Sequence, residues 1–238
     1  MKFAKEDKSY LERRKAFSAE LGPQELFSVI DHWPLYAGTA NLARFLTNAD
    51  LVRQTLDVPG HVAEFGSWRG ANLMLMAKVL KIFDPWGCKE VFCFDSFEGL
   101  ETFTVEDGTA AGQAGTYKGH LGQLTELLLL YDLDDSVSIQ KGLIQDSLPA
   151  FFKDRPSTVF SLIYCDTDLF EPTELILESL HDRLSLGGLF VFDQWNDSRW
   201  PGETEAAQRF IAQKGDAYEM IHPRNTRQPT LVLKRVLV

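Results

Sequence analysis

Three groups of residues have the types and spacing to do chemistry. The first is a turn, VAEFGSWRGAN from Val62 to Asn72, which sets Glu64, Gly66 and Gly70 where an apolar run gives way to a helical pattern. The second is Asp95, which closes the next apolar run, EVFCFD. The third is a pair of acidic segments, YCDTDLFEPTE from Tyr164 to Glu174 and FDQWND from Phe192 to Asp197.

The turn lacks the Lys-Ser/Thr ending of a P-loop, so no lysine is available for a β- or γ-phosphate. It is not GxGxxG either, and Trp68 and Arg69 are bulky where a pyrophosphate needs close backbone approach. An E-x-G-x-x-x-G turn suits a ligand that touches backbone and also carries positive charge. S-adenosyl-L-methionine is such a ligand, with a sulfonium, an ammonium and a ribose diol. Glu64 is then a candidate for the ammonium side, and Arg69 for pairing with Glu64 or a cofactor carboxylate, against a plain surface position. Asp95, one βαβ unit further on, is placed to accept both ribose hydroxyls. Thr39, with Tyr36 in YAGTAN, is a candidate for closing over the methionine carboxylate; a helix N-cap is the competing role.

Asp166 and Asp193 each close an apolar run. On adjacent strands their carboxylates would lie side by side, which calls for a cation, a proton or a substrate hydrogen bond. Magnesium takes carboxylate and amide oxygens, so Asp166, Asp193 and the Gln194 amide form one face of a candidate site. Such an ion would hold acceptor oxygens and lower the pKa of the one to be alkylated. DLFEPTE and DSRWPGETE also resemble helix N-termini, so capping competes for Asp168 and Asp193. His120, in GTYKGHLG, is the candidate general base by position, against a plain surface-loop histidine. Trp195 and Trp200 would stack on a sugar face or pack their loop down.

Strands and helices must alternate to position these groups. HVAEFG, EVFCFD, SVSIQKG, TVFSLIYCD, GGLFVFD, AYEMIHP and TLVLKRV read as strands. ANLMLMAKVLKIF, LGQLTELLLLYDL, EPTELILESLHDRL and ETEAAQRFIAQK read as helices between them. That order predicts an α/β fold with a largely parallel sheet and helices on both faces. Ligands then bind at the carboxyl ends of the strands, which here read Glu64–Gly66, Asp95, Gly142, Asp166 and Asp193. The polar, Gly-rich stretch 98–119 is too long for a plain connector and predicts a functional loop or lid. Residues before the first strand read as helical, with PQELFSVIDHW as an amphipathic piece.

Of 238 residues, 45% are hydrophobic, enough to pack a sizeable core. A net charge of −10 argues against a nucleic-acid partner, because phosphate binding needs clustered Lys and Arg. Three cysteines without a CxxC pair fit free thiols in a reducing compartment. The charged N-terminus has no apolar h-region, and no apolar run is long enough to span a bilayer. The expectation is a cytoplasmic protein with no membrane partner. The helical N-terminal stretch could serve as an exchange or dimer element, so a homo-oligomer stays open.

VPGHVAEFGSWRGAN, FCFDSFEGL, YCDTDLFEPT and LSLGGLFVFDQWN…WPGETEAAQRF together resemble the macrocin O-methyltransferase (TylF/MycF/NovP-like) family, and within it the deoxyhexose 3-O-methyltransferases of the calicheamicin type. The resemblance covers about residues 36–210. It implies a Rossmann-like class I methyltransferase with a seven-stranded, mostly parallel sheet and one antiparallel strand. It implies one domain over 1–238, with 1–57 a helical extension covering the cofactor site. It also implies S-adenosyl-L-methionine as methyl donor, Mg²⁺, and a sugar-type hydroxyl as acceptor. By motif position Glu64, Gly66 and Gly70 would line the methionine end, Asp95 and Ser96 would bind ribose, and Gly142, Asp146 and Ser147 would lie near adenine. Asp166 and Asp193 fall on the metal aspartates, with Asp166 at the cofactor as well. Gln194 departs from the family, many of whose members have a second acid there. A metal hydrolase of phosphate esters and a non-catalytic cofactor-binding subunit are the alternatives. The first lacks a basic clamp, and the second is disfavoured by intact Asp166 and Asp193.

Overall fold

The computed structural model describes residues 4–237. Residues 1–3 and 238, the ends of the expected domain 1–238 and of its N-terminal stretch 1–57, lie outside them. The N-terminal part is helical: α1 (Ala4–Leu21), α2 (Leu26–Asp31), α3 (Trp33–Tyr36) and α4 (Thr39–Gln54). The amphipathic piece splits into α2 and α3 and buries no apolar face; Leu26 and Phe27 are exposed. The α2 start is set by Glu25, whose carboxylate accepts from the N–H groups of Phe27 and Ser28.

All seven strands read from the sequence are present: β1 (His61–Phe65), β2 (Val91–Asp95), β3 (Val137–Lys141), β4 (Phe160–Cys165), β5 (Leu184–Phe192), β6 (Tyr218–Ile221) and β7 (Leu231–Arg235). They form one sheet in the order β3-β2-β1-β4-β5-β7-β6. Only β7 runs against the rest, pairing antiparallel with β5 and β6. Helices α5 (Ala71–Phe83), α6 (Leu121–Leu130), α7 (Ile144–Asp154), α8 (Phe170–Leu180) and α9 (Pro201–Lys214) complete the fold.

The central strands are apolar on both faces because both are covered. Val62, Leu162 and Val191 pack under α4 and α5, with Leu51, Val52 and Leu73. Ala63, Ile163 and Phe190 pack on the other face, with Leu148, Ile176 and Phe210. The strand order reverses between β1 and β4, so the connections leaving their carboxyl ends run to opposite faces, to α5 and to α8. Among the described residues no helix is long and apolar enough to cross a membrane.

Candidate active site

The switch point is built around one glycine. Gly66 follows β1 with φ +82°, and a Cβ there would run into the carbonyl oxygen of Asp166, the residue that ends β4. Only glycine accepts both the left-handed backbone and that approach. A cavity of about 270 Å³ opens beside it, at the carboxyl ends of the strands.

One end of the cavity is lined by Gly66, Asp95, Ser96, Gly142, Leu143 and Ile144. Asp95 is gripped from the backbone. Its Oδ2 accepts from Ser67 N (2.6 Å) and Trp68 N (2.8 Å), and its Oδ1 from Phe97 N (2.6 Å). A carboxylate has roughly four lone-pair sites, so one is left for a donor in the cavity. Burial pushes Asp95 up, and the three N–H bonds oppose the shift.

Strand alternation explains the other end. Tyr164 and Val191 face α4 and α5, so Asp166 and Asp193, two positions further on, do too. Arg44 and Asn48, one turn apart on α4, reach down to them. Arg44 Nη2 donates to Asp166 Oδ2 at 3.1 Å and to Asp193 Oδ1 at 3.0 Å. Gln194 Nε2 donates to the other two oxygens, Asp166 Oδ1 and Asp193 Oδ2, at 3.0 Å each. Tyr164 Oη adds a third donor to Asp193 at 2.6 Å, and Asn48 Nδ2 donates in turn to Tyr164 at 3.3 Å. Burial and Asp166 raise the Asp193 pKa against the pull of Arg44 and Tyr164. Burial opposes the Arg44 charge, but Asp193, Tyr164 and Asp166 outweigh it and raise the guanidinium's hold on its proton.

Asp168 also lines the cavity. It sits at φ +63° and is 7% exposed, and its Oδ1 has no hydrogen-bond partner. Burial first, then the Asp166 and Asp193 carboxylates, raises its pKa strongly. It does not cap α8, whose N-cap is Leu169; the Phe170 N–H is taken instead by Asp107 Oδ1 at 2.8 Å. Nor does Asp193 cap α9, which starts after Trp200. An aromatic wall faces Asp168's end of the cavity. Tyr117 meets Trp68 and Trp200 edge-on at 5.5 and 6.0 Å between ring centroids. Tyr117 comes from the long loop 98–119, whose Gly99 to Thr102 also line the cavity.

Of the residues singled out from sequence, the cavity gathers Gly66, Asp95, Ser96, Gly142, Asp166, Asp168, Asp193, Gln194 and Trp200. The others lie elsewhere. Glu64 shares the Val62 face of β1 and turns inward, where it accepts from Ser67 Oγ (2.5 Å) and Asn72 Nδ2 (2.7 Å). It braces the turn from below instead of lining the cavity, and burial lifts its pKa to about 8. Gly70 is the left-handed N-cap of α5, packed against Leu124. Arg69 is exposed and lies over the Trp68 ring at 5.1 Å. Thr39 is exposed at the start of α4, capped by Gly38. Asp146 is exposed on α7, and Ser147 lies behind it; Leu143 to Gln145 take the lining positions instead. His120 is exposed at the α6 N-terminus and does not line the cavity. Among the described residues, no three or more His, Cys, Asp or Glu side chains are grouped as a metal would need.

A family model described as macrocin-O-methyltransferase (TylF) matches residues 18–223. The 8-demethyl-8-(2,3-dimethoxy-alpha-L-rhamnosyl)-tetracenomycin-C 4'-O-methyltransferase of Streptomyces olivaceus is 30% identical over 174 residues, 68% of this chain and 64% of that protein. The mycinamicin III 3''-O-methyltransferase of Micromonospora griseorubida is 29% identical over 177 residues, 69% and 65% of the two chains. This chain thus spans slightly less than two thirds of the length of the curated relatives it matches. The crystal structure of the calicheamicin methyltransferase CalS11 matches with a TM-score of 0.84 at 25% identity, covering 96% of this chain and 92% of that one. The O-methyltransferase NovP shares the fold with a TM-score of 0.70 at 24% identity, over 82% and 80% of the chains. On its sequence, this chain belongs to the macrocin O-methyltransferase (TylF) family.

Proposed function

We propose that this chain transfers a methyl group from S-adenosyl-L-methionine to a hydroxyl of a sugar or a glycosylated small molecule. Family membership supports the reaction class. The Streptomyces olivaceus relative, named for a rhamnosyl tetracenomycin, supports the acceptor class. The observation that carries the reading is Asp168. It is a buried carboxyl with an unpartnered oxygen, in the same cavity as the Gly66–Asp95 cradle.

The donor's methionine and nucleoside parts fit the lining. Gly66 offers backbone with no side chain in the way, and the free lone pair of Asp95 can take a ribose hydroxyl. Leu143 and Ile144 offer apolar surface for a base. When bound, S-adenosylmethionine supplies an electrophilic methyl group on a positively charged sulfur. The chain must then align an acceptor hydroxyl in line with it and remove the hydroxyl proton. Trp68, Tyr117 and Trp200 offer ring faces and edges on which a sugar can lie. Asp168 is the proton acceptor in this reading, in place of the sequence candidate His120. The acceptor oxygen–carbon bond forms, the sulfur–carbon bond breaks with its electron pair left on sulfur, and the proton ends on Asp168.

The sequence pointed to magnesium at Asp166, Asp193 and Gln194. All four carboxylate oxygens already accept from Arg44 or from the Gln194 NH₂ group. As folded, this donor set does not fit a divalent ion, and no step is routed through one. Arg44 belongs to α4, within the stretch 1–57, which in this reading covers the site.

Calorimetric titration with S-adenosylmethionine tests the proposal. Micromolar binding to the wild type, weakened at least about thirtyfold in Asp95→Ala by loss of charged hydrogen bonds, is the expected result. A folded wild type that binds none would sink it.

A further inference from the structure

The carboxylate pair that follows β4 and β5 is bridged from two sides by nitrogen donors. Asp193 is fully buried, and Asp166 is 22% exposed at its side chain. Two such carboxylates this close require positive charge or protons between them. The usual solution for a hard divalent ion is a shared position about 2.0–2.1 Å from an oxygen of each. Here a nitrogen stands between each facing pair of oxygens, 3.0–3.1 Å from both. Arg44 Nη2 stands at one, bridging Asp166 Oδ2 and Asp193 Oδ1. Gln194 Nε2 stands at the other, bridging Asp166 Oδ1 and Asp193 Oδ2.

Resting on the methyltransferase reading above, we infer that this chain has replaced the divalent ion of its carboxylate pair by its own Arg44 guanidinium and Gln194 amide, so that its site works without a metal. The two residues belong together. An acid at position 194 would add a third negative charge that Arg44 alone could not balance. A glutamine instead presents two N–H donors and no charge. The orientation of its amide follows from its neighbours, since turning the amide would aim its oxygen at two carboxylates. Its Oε1 has no partner on the far side, and turning would not relieve that cost. Arg44 is held in position from the same helix. Asn48, one turn along α4, bonds Tyr164, which bonds Asp193. Gln194 is held as well, because its backbone N–H donates to Glu203 Oε1 at 2.7 Å. Burial, then the Asp168 carboxylate, raises Glu203 well above the ordinary range, and the Gln194 N–H bond opposes the shift. With no ion at the pair to acidify an acceptor hydroxyl, proton removal falls to Asp168 alone.

Manganese is the probe, read by electron paramagnetic resonance on the full chain without donor or acceptor. The wild type is expected to show no site that depends on Asp193, up to millimolar Mn²⁺. Arg44→Ala/Gln194→Asp, which empties one bridge and puts a third carboxylate at the other, is expected to gain one site at least tenfold tighter than that millimolar limit. Circular dichroism checks that each variant folds, and Arg44→Ala alone serves if the double variant does not. One wild-type Mn²⁺ site that disappears in Asp193→Asn would overturn the inference. A folded double variant that takes no manganese would also overturn it, because Arg44 and Gln194 would not be what keeps the ion out. Neither readout needs methyl transfer. Failure of the proposed reaction shows separately, as lack of S-adenosylmethionine binding in the presence of chelator.

Discussion

Tyr164 donates its phenolic hydrogen to Asp193 Oδ1 over 2.6 Å, with both residues closed off from solvent. Burial raises the phenol's pKa well above the usual value, so the hydroxyl keeps its proton. It can therefore act only as a donor to the carboxylate. Tyr164→Phe leaves the ring in the core and removes one donor from a buried charge. Loss of a hydrogen bond to a charged group costs about 1.5–3 kcal/mol. Urea unfolding is expected to show a loss in that range, with S-adenosylmethionine affinity changed less than threefold. An unaffected midpoint would mean that Arg44 and Gln194 suffice to hold Asp193.

Gly66 meets Asp166 through backbone alone, so Gly66→Ala tests the switch point directly. The variant must carry a side chain at φ +82° and push its Cβ against the Asp166 carbonyl. Left-handed strain costs about 1–2 kcal/mol, and the clash adds to it, for a total of about 3 kcal/mol or more. The β1–β4 separation would also widen beside the cavity. The expected result is a lower melting temperature together with at least tenfold weaker donor binding. Gly112→Ala is the control, because nothing lies within 4 Å of its added Cβ.

The sheet was legible because the central strands β1, β2, β4 and β5 are apolar runs followed or closed by Gly or Asp, and parallel strands buried on both faces must read that way. Alternation then placed Asp95, Asp166 and Asp193 at the ends of strands β2, β4 and β5. Arg44 left no such mark. It is an arginine in a mixed helix, and its partners lie 122 and 149 residues away. What signal there was lay in Gln194: the acidic pair needs a cation, and a neutral neighbour makes a metal a poorer candidate to supply it. Asp168 resembles a helix cap in sequence because DLFEPTE has the look of one. The cap role went to Asp107, 63 residues distant, which no local pattern reveals. Glu64 misleads because position at a strand end does not say which way a side chain turns. Asn72 and Ser67 draw it inward.

Glu64 makes a prediction of its own. Burial, opposed by two side-chain bonds from Ser67 and Asn72, leaves its folded pKa at about 8. An unfolded glutamate titrates near about 4.3. The folded state therefore holds the proton more tightly. The stability this contributes is complete below about pH 4.3 and is lost as pH rises to about 8. Glu64→Gln removes the ionisation and keeps the shape. Relative to wild type, the variant is expected to gain stability steadily from about pH 5 to pH 8, by about 3–4 kcal/mol. Thermal melts at pH 5, 6.5 and 8 check the slope. A difference independent of pH would show that Glu64 stays ionised in the fold.

As the proposed base, Asp168 is expected to set the pH dependence of turnover. Burial and the neighbouring Asp166 and Asp193 carboxylates raise its pKa, so near neutrality most molecules hold it protonated. A base acts in its ionised form, so the rate should climb with pH, up to tenfold per unit, and level off once Asp168 has lost its proton. A bound sulfonium nearby would favour the charged form and move the plateau to lower pH. Asp168→Asn removes the acceptor of the proton and the titration together. With an acceptor sugar in hand and the methyl donor saturating, its kcat should fall by about 10²–10⁴. Its remaining activity should be flat with pH, and its S-adenosylmethionine affinity should stay within threefold of wild type. A variant that keeps the wild-type slope would move the base elsewhere, and His120→Ala would be the next variant to assay.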